Sequence, residues 1–283
     1  ADVVEQLRER LGESVRLRLR SDVPLGAFLS GGIDSSILTA LMQQESTGRV
    51  QTFSIGFPER EYDESHFARR VAEHLGTQHH ELRVEPNAIE LLPKLVWHFD
   101  EPFGDSSAIP TYYLAELTRK QVTVAISGDG GDELFCGYDR YRAIKMASLV
   151  DRLPLGAALA RWGVWNRLPN SGFQKSQLRR LRRFIELVGL PASSRYAELV
   201  SIFNETRRGA LYREEFIARL PEDAPTNFLS AAFERCKDRD AVTAASLVDV
   251  MTYLPCDFCH KVDIAPMGPG LECRQPFLDP RVG

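Results

Sequence analysis

The chain has 283 residues, 43% hydrophobic and 26% charged, enough for one full core and part of a second, so a large domain with a smaller companion is expected. Its net charge of -4 gives no general basic field, which argues against nucleic acid as a partner, and no apolar stretch approaches the roughly 20 residues of a membrane span. Five cysteines (Cys136, Cys236, Cys256, Cys259 and Cys273) suit reduced thiols, and the Arg-rich start lacks a signal-peptide core, so the chain reads as a soluble, cytoplasmic protein.

An amphipathic helix opens the chain, with Val4, Leu7, Leu11, Val15 and Leu19 on one stripe. Apolar Leu25 to Leu29 reads as a short buried strand. The stripe Ile33, Ile37, Leu38, Leu41 and Met42 predicts a helix directly after it. "VQTFSIGF" is the next strand, followed by a helix over residues 63–75 with Asp63 as N-cap and Gly76 beyond its end. Then come the strand "QHHELRV", the helix "AIELLPKLVWHF" interrupted at Pro93, and the helix "IPTYYLAELTRK" with Pro110 in its first turn. Residues 121–126, "QVTVAI", form a further buried strand. Strand and helix in alternation imply an α/β fold: a doubly wound, mostly parallel sheet covered on both faces, with ligands at the carboxyl ends of its strands. From about residue 150 helical, proline-punctuated segments take over, which divides the chain into an α/β domain over 1–150 and a helical extension over 151–283.

Two strands run straight into glycine-rich loops. "AFLSGGIDSS" delivers Ser30, Gly31, Gly32, Asp34, Ser35 and Ser36 to the start of a helix, where unpartnered N–H groups and the helix dipole favour an anion. The glycines admit close backbone approach and the serines add hydroxyl donors, so phosphate is the expected guest. The spacing matches neither a Walker A loop nor a dinucleotide fingerprint, and on these residues alone an ordinary tight turn is as good a reading. "SGDGGDELFCGY" carries Asp129, Asp132 and Glu133 among glycines. Acids next to a phosphate site require a bridging divalent cation, for which Asp34 and Asp132 are the expected Mg²⁺ ligands. A solvated turn leading into a helix is the alternative. The two loops are expected to face one crevice.

Other features read as structural. His79 and His80 lie on opposite strand faces, and Cys256-Asp-Phe-Cys259 beside His260 has no second pair to complete a zinc site. The basic run at residues 175–184, with Arg179, Arg180, Arg182 and Arg183, is an amphipathic helix around Leu178, Leu181 and Ile185, and Trp162 and Trp165 are spaced for helix packing.

Taken in order, "SGGIDS", "FSIGF", "YDESHFARRVAEHLG", "DEPFGDSSAIPTYYL", "ISGDGGDELFCGY" and "KVDIAPMGPGLECRQPFLD" resemble the synthetase domain of the glutamine-hydrolysing asparagine synthetases, within the N-type ATP pyrophosphatases, from about residue 21 to 280. The resemblance implies that ATP and Mg²⁺ are used and that a carboxylate is activated as an acyl-adenylate, which ammonia converts to an amide with release of AMP and pyrophosphate. It places Ser30, Gly31, Gly32, Asp34 and Ser35 on the pyrophosphate, Leu29 and Ile55 near adenine, and Ser127 and Gly128 in the second ATP loop. Asp129 stands where the family has a proton acceptor, and Lys261 where a lysine neutralises the α-phosphate and the leaving pyrophosphate. Asp132, Glu133 and Glu101 are implied in substrate binding, and Asp34 and Asp132 in magnesium binding.

L-Aspartate is the implied substrate, with ammonia from a glutaminase domain that this chain lacks; the helical extension is expected to be truncated, and a homodimer is left open. The segment after Lys261 departs from the family's "KVDRASMAHGLE"-like run. Ile264 stands for an arginine and Pro266 for a serine, and Pro266, Gly268 and Pro269 disfavour helix. This leaves two alternatives open: an amidotransferase of a biosynthetic cluster acting on another carboxylate, and a catalytically idle nucleotide-binding module.

Overall fold

The computed structural model describes residues 2–58, 63–85, 87–153, 181, 184–203, 205–220 and 225–283. The chain divides into two compact units, one of residues 1–134 and 254–283 and the other of residues 135–253.

The first unit is built on a five-stranded, wholly parallel sheet in the order β3-β2-β1-β4-β5. Helix α1 (Asp2–Arg18) precedes β1 (Leu25–Phe28), α2 (Ile33–Glu45) and β2 (Gln51–Gly56). Then follow α3 (Ser65–Leu75), β3 (Gln78–Arg83), α4 (Ala88–Phe99), α5 (Ala108–Arg119) and β4 (Val124–Ile126). A short helix, α6 (Gly131–Phe135), comes directly after β4. The later segment of the unit adds a π-helical turn (Leu254–Phe258), a helix (Cys259–Met267), strand β5 (Glu272–Arg274) and a 3₁₀ turn (Pro276–Leu278).

Alternation along the strands sends neighbouring residues to opposite cores. Ala27 and Ile126 join Leu11 and Val15 of α1 and Leu38 and Met42 of α2, whereas Ala125 joins Phe53, Leu271 and Ala115 of α5. Helices therefore cover both sheet faces, as near-continuous apolar strands require. From β1 the chain steps outward to β2 and β3, then crosses back to lay β4 on the other flank of β1. Strand order reverses there, so the carboxyl ends of β1 and β4 form the switch point where open parallel sheets bind ligands.

Several expectations are corrected. Ile33 is 78% exposed and Ile37 42% exposed, so only Leu38 and Met42 of that stripe are buried. Helix α4 runs through Pro93 without a break. The carbonyl that Pro93 leaves without a helical donor belongs to Ile89, which is exposed to water. Asp63 lies one residue before the N-cap of α3, and its carboxylate accepts the Ser65 N–H at 3.1 Å. Gly76 does end α3, with φ +70°. The strand near residue 121 covers only Val124–Ile126. The helix after Lys261 continues through Pro266 to Met267.

In the second unit every described element is helical: α7 (Asp139–Asp151), α8 (Ala192–Val200), α9 (Glu205–Leu211), α10 (Glu214–Ile217), α11 (Pro225–Glu234) and α12 (Ala241–Met251). The helix Cys259–Met267 of the first unit is accordingly α13. Tyr141, Ile144, Tyr196, Cys236, Ala245 and Val248 form the core of the second unit. Arg179, Arg180, Arg182, Arg183, Leu178, Trp162 and Trp165 lie outside the described residues. Among the described residues no helix is long and apolar enough to cross a membrane.

Candidate functional site

The first loop leaves β1 at Leu29, whose N–H donates to the Phe53 carbonyl at 2.9 Å and whose side chain is buried against Ala68 and Ala72 of α3. Gly31 turns the chain with φ +81°, and a Cβ there would stand 2.5 Å from the Ala68 nitrogen. Only glycine meets both demands, one of conformation and one of space. Ser30 Oγ accepts the Gly32 N–H at 3.2 Å and lies 3.0 Å from Ser35 Oγ. Ser36 Oγ donates to the Gly32 carbonyl at 2.6 Å. Hydroxyls thus hold the loop in shape where the first N–H groups of α2 emerge, an arrangement suited to an anion.

The second loop leaves β4 and closes onto the first. A Cβ on Gly128 would lie 3.0 Å from the Ser35 nitrogen, and one on Gly131 2.5 Å from the Asp34 carboxyl group. The expected meeting of the two loops at one crevice is therefore what is found. Gly130, at φ +93°, turns tightly beneath Leu278, which ties the "QPFLD" stretch to the loop. That stretch is itself anchored: the Ser14 hydroxyl donates to the Pro276 carbonyl at 2.8 Å, and Asp279 accepts Arg18 at 2.9 Å and Arg281 at 2.8 Å.

Charge in the crevice is distributed unevenly. Burial, with the nearby Asp132 charge, pushes the Asp34 carboxyl up to about 6. Asp129 accepts the Ser127 hydroxyl at 2.5 Å, yet burial raises its carboxyl, against the opposing pull of that hydrogen bond and of Lys261. Two hard carboxylates that repel each other are what a magnesium ion relieves, and Mg²⁺ is commonly held by one or two carboxylates with substrate phosphates completing its shell. Asp34 and Asp132 fit that role. Among the described residues no group of three or more His, Cys, Asp or Glu is placed to cage a metal, so the Cys256, Cys259 and His260 stretch forms no such centre.

Lys261 reaches the crevice from α13. It is 4% exposed, and its ammonium donates to Asp105 Oδ2 at 2.9 Å and Ser107 Oγ at 2.7 Å, with the Phe258 ring centroid 3.8 Å away. Ser107 Oγ donates to the same Asp105 Oδ2 at 2.7 Å, and the Ser107 N–H donates to Oδ1 at 2.9 Å. Burial opposes ionisation of Asp105, but the bonds from Lys261 and Ser107 outweigh it and hold the carboxyl below the usual range. The start of α13 also feels the second loop: burial raises the Cys259 thiol, helped by the Glu133 and Asp129 charges.

Of the residues singled out in the sequence, Ser30, Gly31, Gly32, Asp34, Ser35, Ser127, Gly128, Asp129, Asp132 and Lys261 thus belong to one neighbourhood. Glu133 is fully buried in the first turn of α6. Ile55 is half-buried late in β2, the strand beside β1. Glu101 is exposed on the connection from α4 to α5, with Oε1 3.0 Å from His260 Nε2. Asp105, Ser107 and Phe258 were missed. The first two stand within "DEPFGDSS", whose acids and serines were visible, but nothing local links them to a lysine more than 150 residues away.

A parallel α/β sheet thus carries two glycine loops that meet beyond β1 and β4, with Lys261 buried within electrostatic reach of the second. The family model for asparagine synthase matches residues 6–283, and the chain belongs to that family. It is 34% identical over 278 residues to "Asparagine synthetase [glutamine-hydrolyzing] 1" of Bacillus subtilis, a match covering 98% of this chain and 42% of that protein. It is 35% identical over 282 residues to "Putative asparagine synthetase [glutamine-hydrolyzing] 2" of Methanocaldococcus jannaschii, covering 94% of this chain and 49% of the relative. "Amidase chyE" of Penicillium rubens is 37% identical over 158 residues, covering 50% of this chain and 24% of that protein. The chain spans less than half the length of these relatives.

Proposed function

We propose that this chain carries the ATP-dependent amide-forming centre of a larger enzyme and that its reaction is L-aspartate + ATP + ammonia to L-asparagine + AMP + pyrophosphate. The observation that carries this reading is the convergence of the two glycine loops on one crevice, with Lys261 buried beside it. The substrate carboxylate attacks the α-phosphorus and pyrophosphate leaves. Ammonia then attacks the acyl carbon of the adenylate, and AMP leaves. The serines and amides of the first loop bind the pyrophosphate end of ATP, with Leu29 and Ile55 towards adenine. Lys261 stabilises the negative charge that grows as the phosphate bond breaks, an effect strengthened by its dry setting. Asp129, with its carboxyl raised by burial, takes a proton from the attacking nitrogen, and Asp132, Glu133 and Glu101 bind the substrate's amino group. Asp34 and Asp132 would hold magnesium, which when bound would supply positive charge to the phosphates. Ammonia derives from a glutaminase part outside this chain, in keeping with the relatives' printed names.

The test is to incubate the intact protein that carries this chain with ATP, Mg²⁺, L-aspartate and ammonium and to separate nucleotides and amino acids. Aspartate-dependent AMP with matching asparagine is expected. Absence of AMP with every carboxylate offered would leave the idle nucleotide-binding module.

One observation favours a second carboxylate. Ile264 packs with the apolar cluster of Leu91, Leu95 and Phe99, where the resemblance implies an arginine. A charge available for reading a substrate is replaced by core. AMP formation dependent on a carboxylate other than aspartate, with aspartate inert, would select this reading.

A further inference from the structure

Lys261 is held by a closed triangle. Its Nζ, Ser107 Oγ and Asp105 Oδ2 are separated by 2.7, 2.7 and 2.9 Å, and the third partner of Asp105, the Ser107 N–H, fixes the carboxylate from its other oxygen. An ammonium has three donors, and these two acceptors engage two of them. The Phe258 ring, 3.8 Å from Nζ, adds a weak cation–π attraction without using a donor. The holders are themselves rigid: Asp105 and Ser107 open α5, where the Ala108 N–H donates to the Asp105 carbonyl at 3.2 Å. A free lysine carries four rotatable bonds, and this one has lost them before any ligand arrives.

We propose that Asp105, seconded by Ser107, is the positioning residue of this site. It orients the Lys261 ammonium, leaving one N–H for an oxyanion of the reacting phosphate. This deepens the reading of the site as an adenylating centre and rests on it. The physical need is specific. An ammonium without fixed acceptors would reorganise during the reaction instead of standing ready. Asp105 is well suited, because its bonds from Lys261 and Ser107 hold it ionised below the usual carboxylate range. Asp105 meets no reacting atom on this account; its influence passes through Lys261 alone.

That last statement gives the test, a double-variant cycle in the intact protein read as pyrophosphate release. Asp105→Asn is expected to lower kcat about 100-fold, with KM for ATP changed less than about threefold. Ser107→Ala should cost roughly tenfold. In a Lys261→Ala background both substitutions should cost nothing further, and Asp105→Glu should restore part of the loss. Multiplicative losses in the Lys261→Ala background would overturn the proposal, as would Asp105→Asn with unchanged kcat. Should Asp105→Asn fail to fold, the Ser107→Ala cycle decides in the same way. Wild-type protein that releases no pyrophosphate with any carboxylate would overturn the adenylating reading and the proposal with it. Activity in wild type with multiplicative losses would overturn the proposal alone.

Discussion

Each unit pairs a carboxylate with a cation sheltered by the fold, Asp249 with Arg140 and Asp105 with Lys261, and these two pairs are finished differently. In the helical unit Asp249 is fully buried and saturated: Arg140 donates through Nε at 3.0 Å and approaches Oδ1 with Nη2 at 2.9 Å, while the Tyr141 and Tyr196 hydroxyls both donate to the same carboxylate. The guanidinium is stacked 3.7 Å from the Tyr138 ring centroid. Burial, and then the Asp249 charge, drives the Tyr196 hydroxyl well above its usual range, so it remains a donor. In the α/β unit Lys261 has two of its three donors engaged and stands within electrostatic reach of Asp129. A pair whose carboxylate is saturated specifies how α7, α8 and α12 pack. An incomplete one is available for chemistry.

The contrast predicts opposite mutational signatures. Asp249→Ala strands a buried guanidinium and two hydroxyls, and is expected to cost about 3–5 kcal/mol in denaturant unfolding. Its effect on pyrophosphate release per folded molecule should be small. Lys261→Ala leaves Asp105 with both Ser107 donors, so stability should change little. Its kcat should fall by about 10²–10³, as when a preorganised electrostatic group is removed. If Lys261→Ala proved the more destabilising of the two, the comparison would be reversed.

Two smaller effects refine the crevice. Gly131→Ala puts a methyl 2.5 Å from the Asp34 carboxyl and is expected to weaken nucleotide and magnesium binding at least tenfold in calorimetric titration. Asp34 is smaller still. Its carboxyl is raised to about 6, so the folded state favours its protonated form, and stability is lost as pH rises from about 4 through 6. Asp34→Asn should therefore stabilise the metal-free protein at pH 7.5, by no more than on the order of 1 kcal/mol once solvent screening at this half-buried group is discounted, and leave it unchanged at pH 3.5. Magnesium should raise the melting temperature of wild type more at pH 7.5 than at pH 5, and the Asn variant should respond less.

Strands β1 to β4 and both loops could be read from the chain because their signals are local: a run of apolar residues, then glycine and serine where a backbone must turn beside an anion. Strand β5 was missed because three residues, Glu272–Arg274, carry no periodicity within a stretch expected to be helical. Ile33 misled because it follows the loop directly and sits in the exposed first turn of α2, where apolar periodicity does not imply burial. Pro93 and Pro266 misled because a missing N–H is tolerated where the freed carbonyl faces water or the helix is about to end. Asp105, Ser107 and Asp249 were out of reach for another reason. Each acquires its role from a partner that only the folded chain brings near, and single acids and serines have no periodicity to announce it.

The most direct measurement is pyrophosphate release by the intact protein, wild type against Lys261→Ala, with ATP, Mg²⁺, L-aspartate and ammonium, each variant shown to be folded by its denaturant midpoint. A release rate that depends on the carboxylate, with a fall of at least 100-fold at an unchanged midpoint, is the predicted result. Equal rates for the two proteins would contradict the assignment of Lys261 to the chemistry.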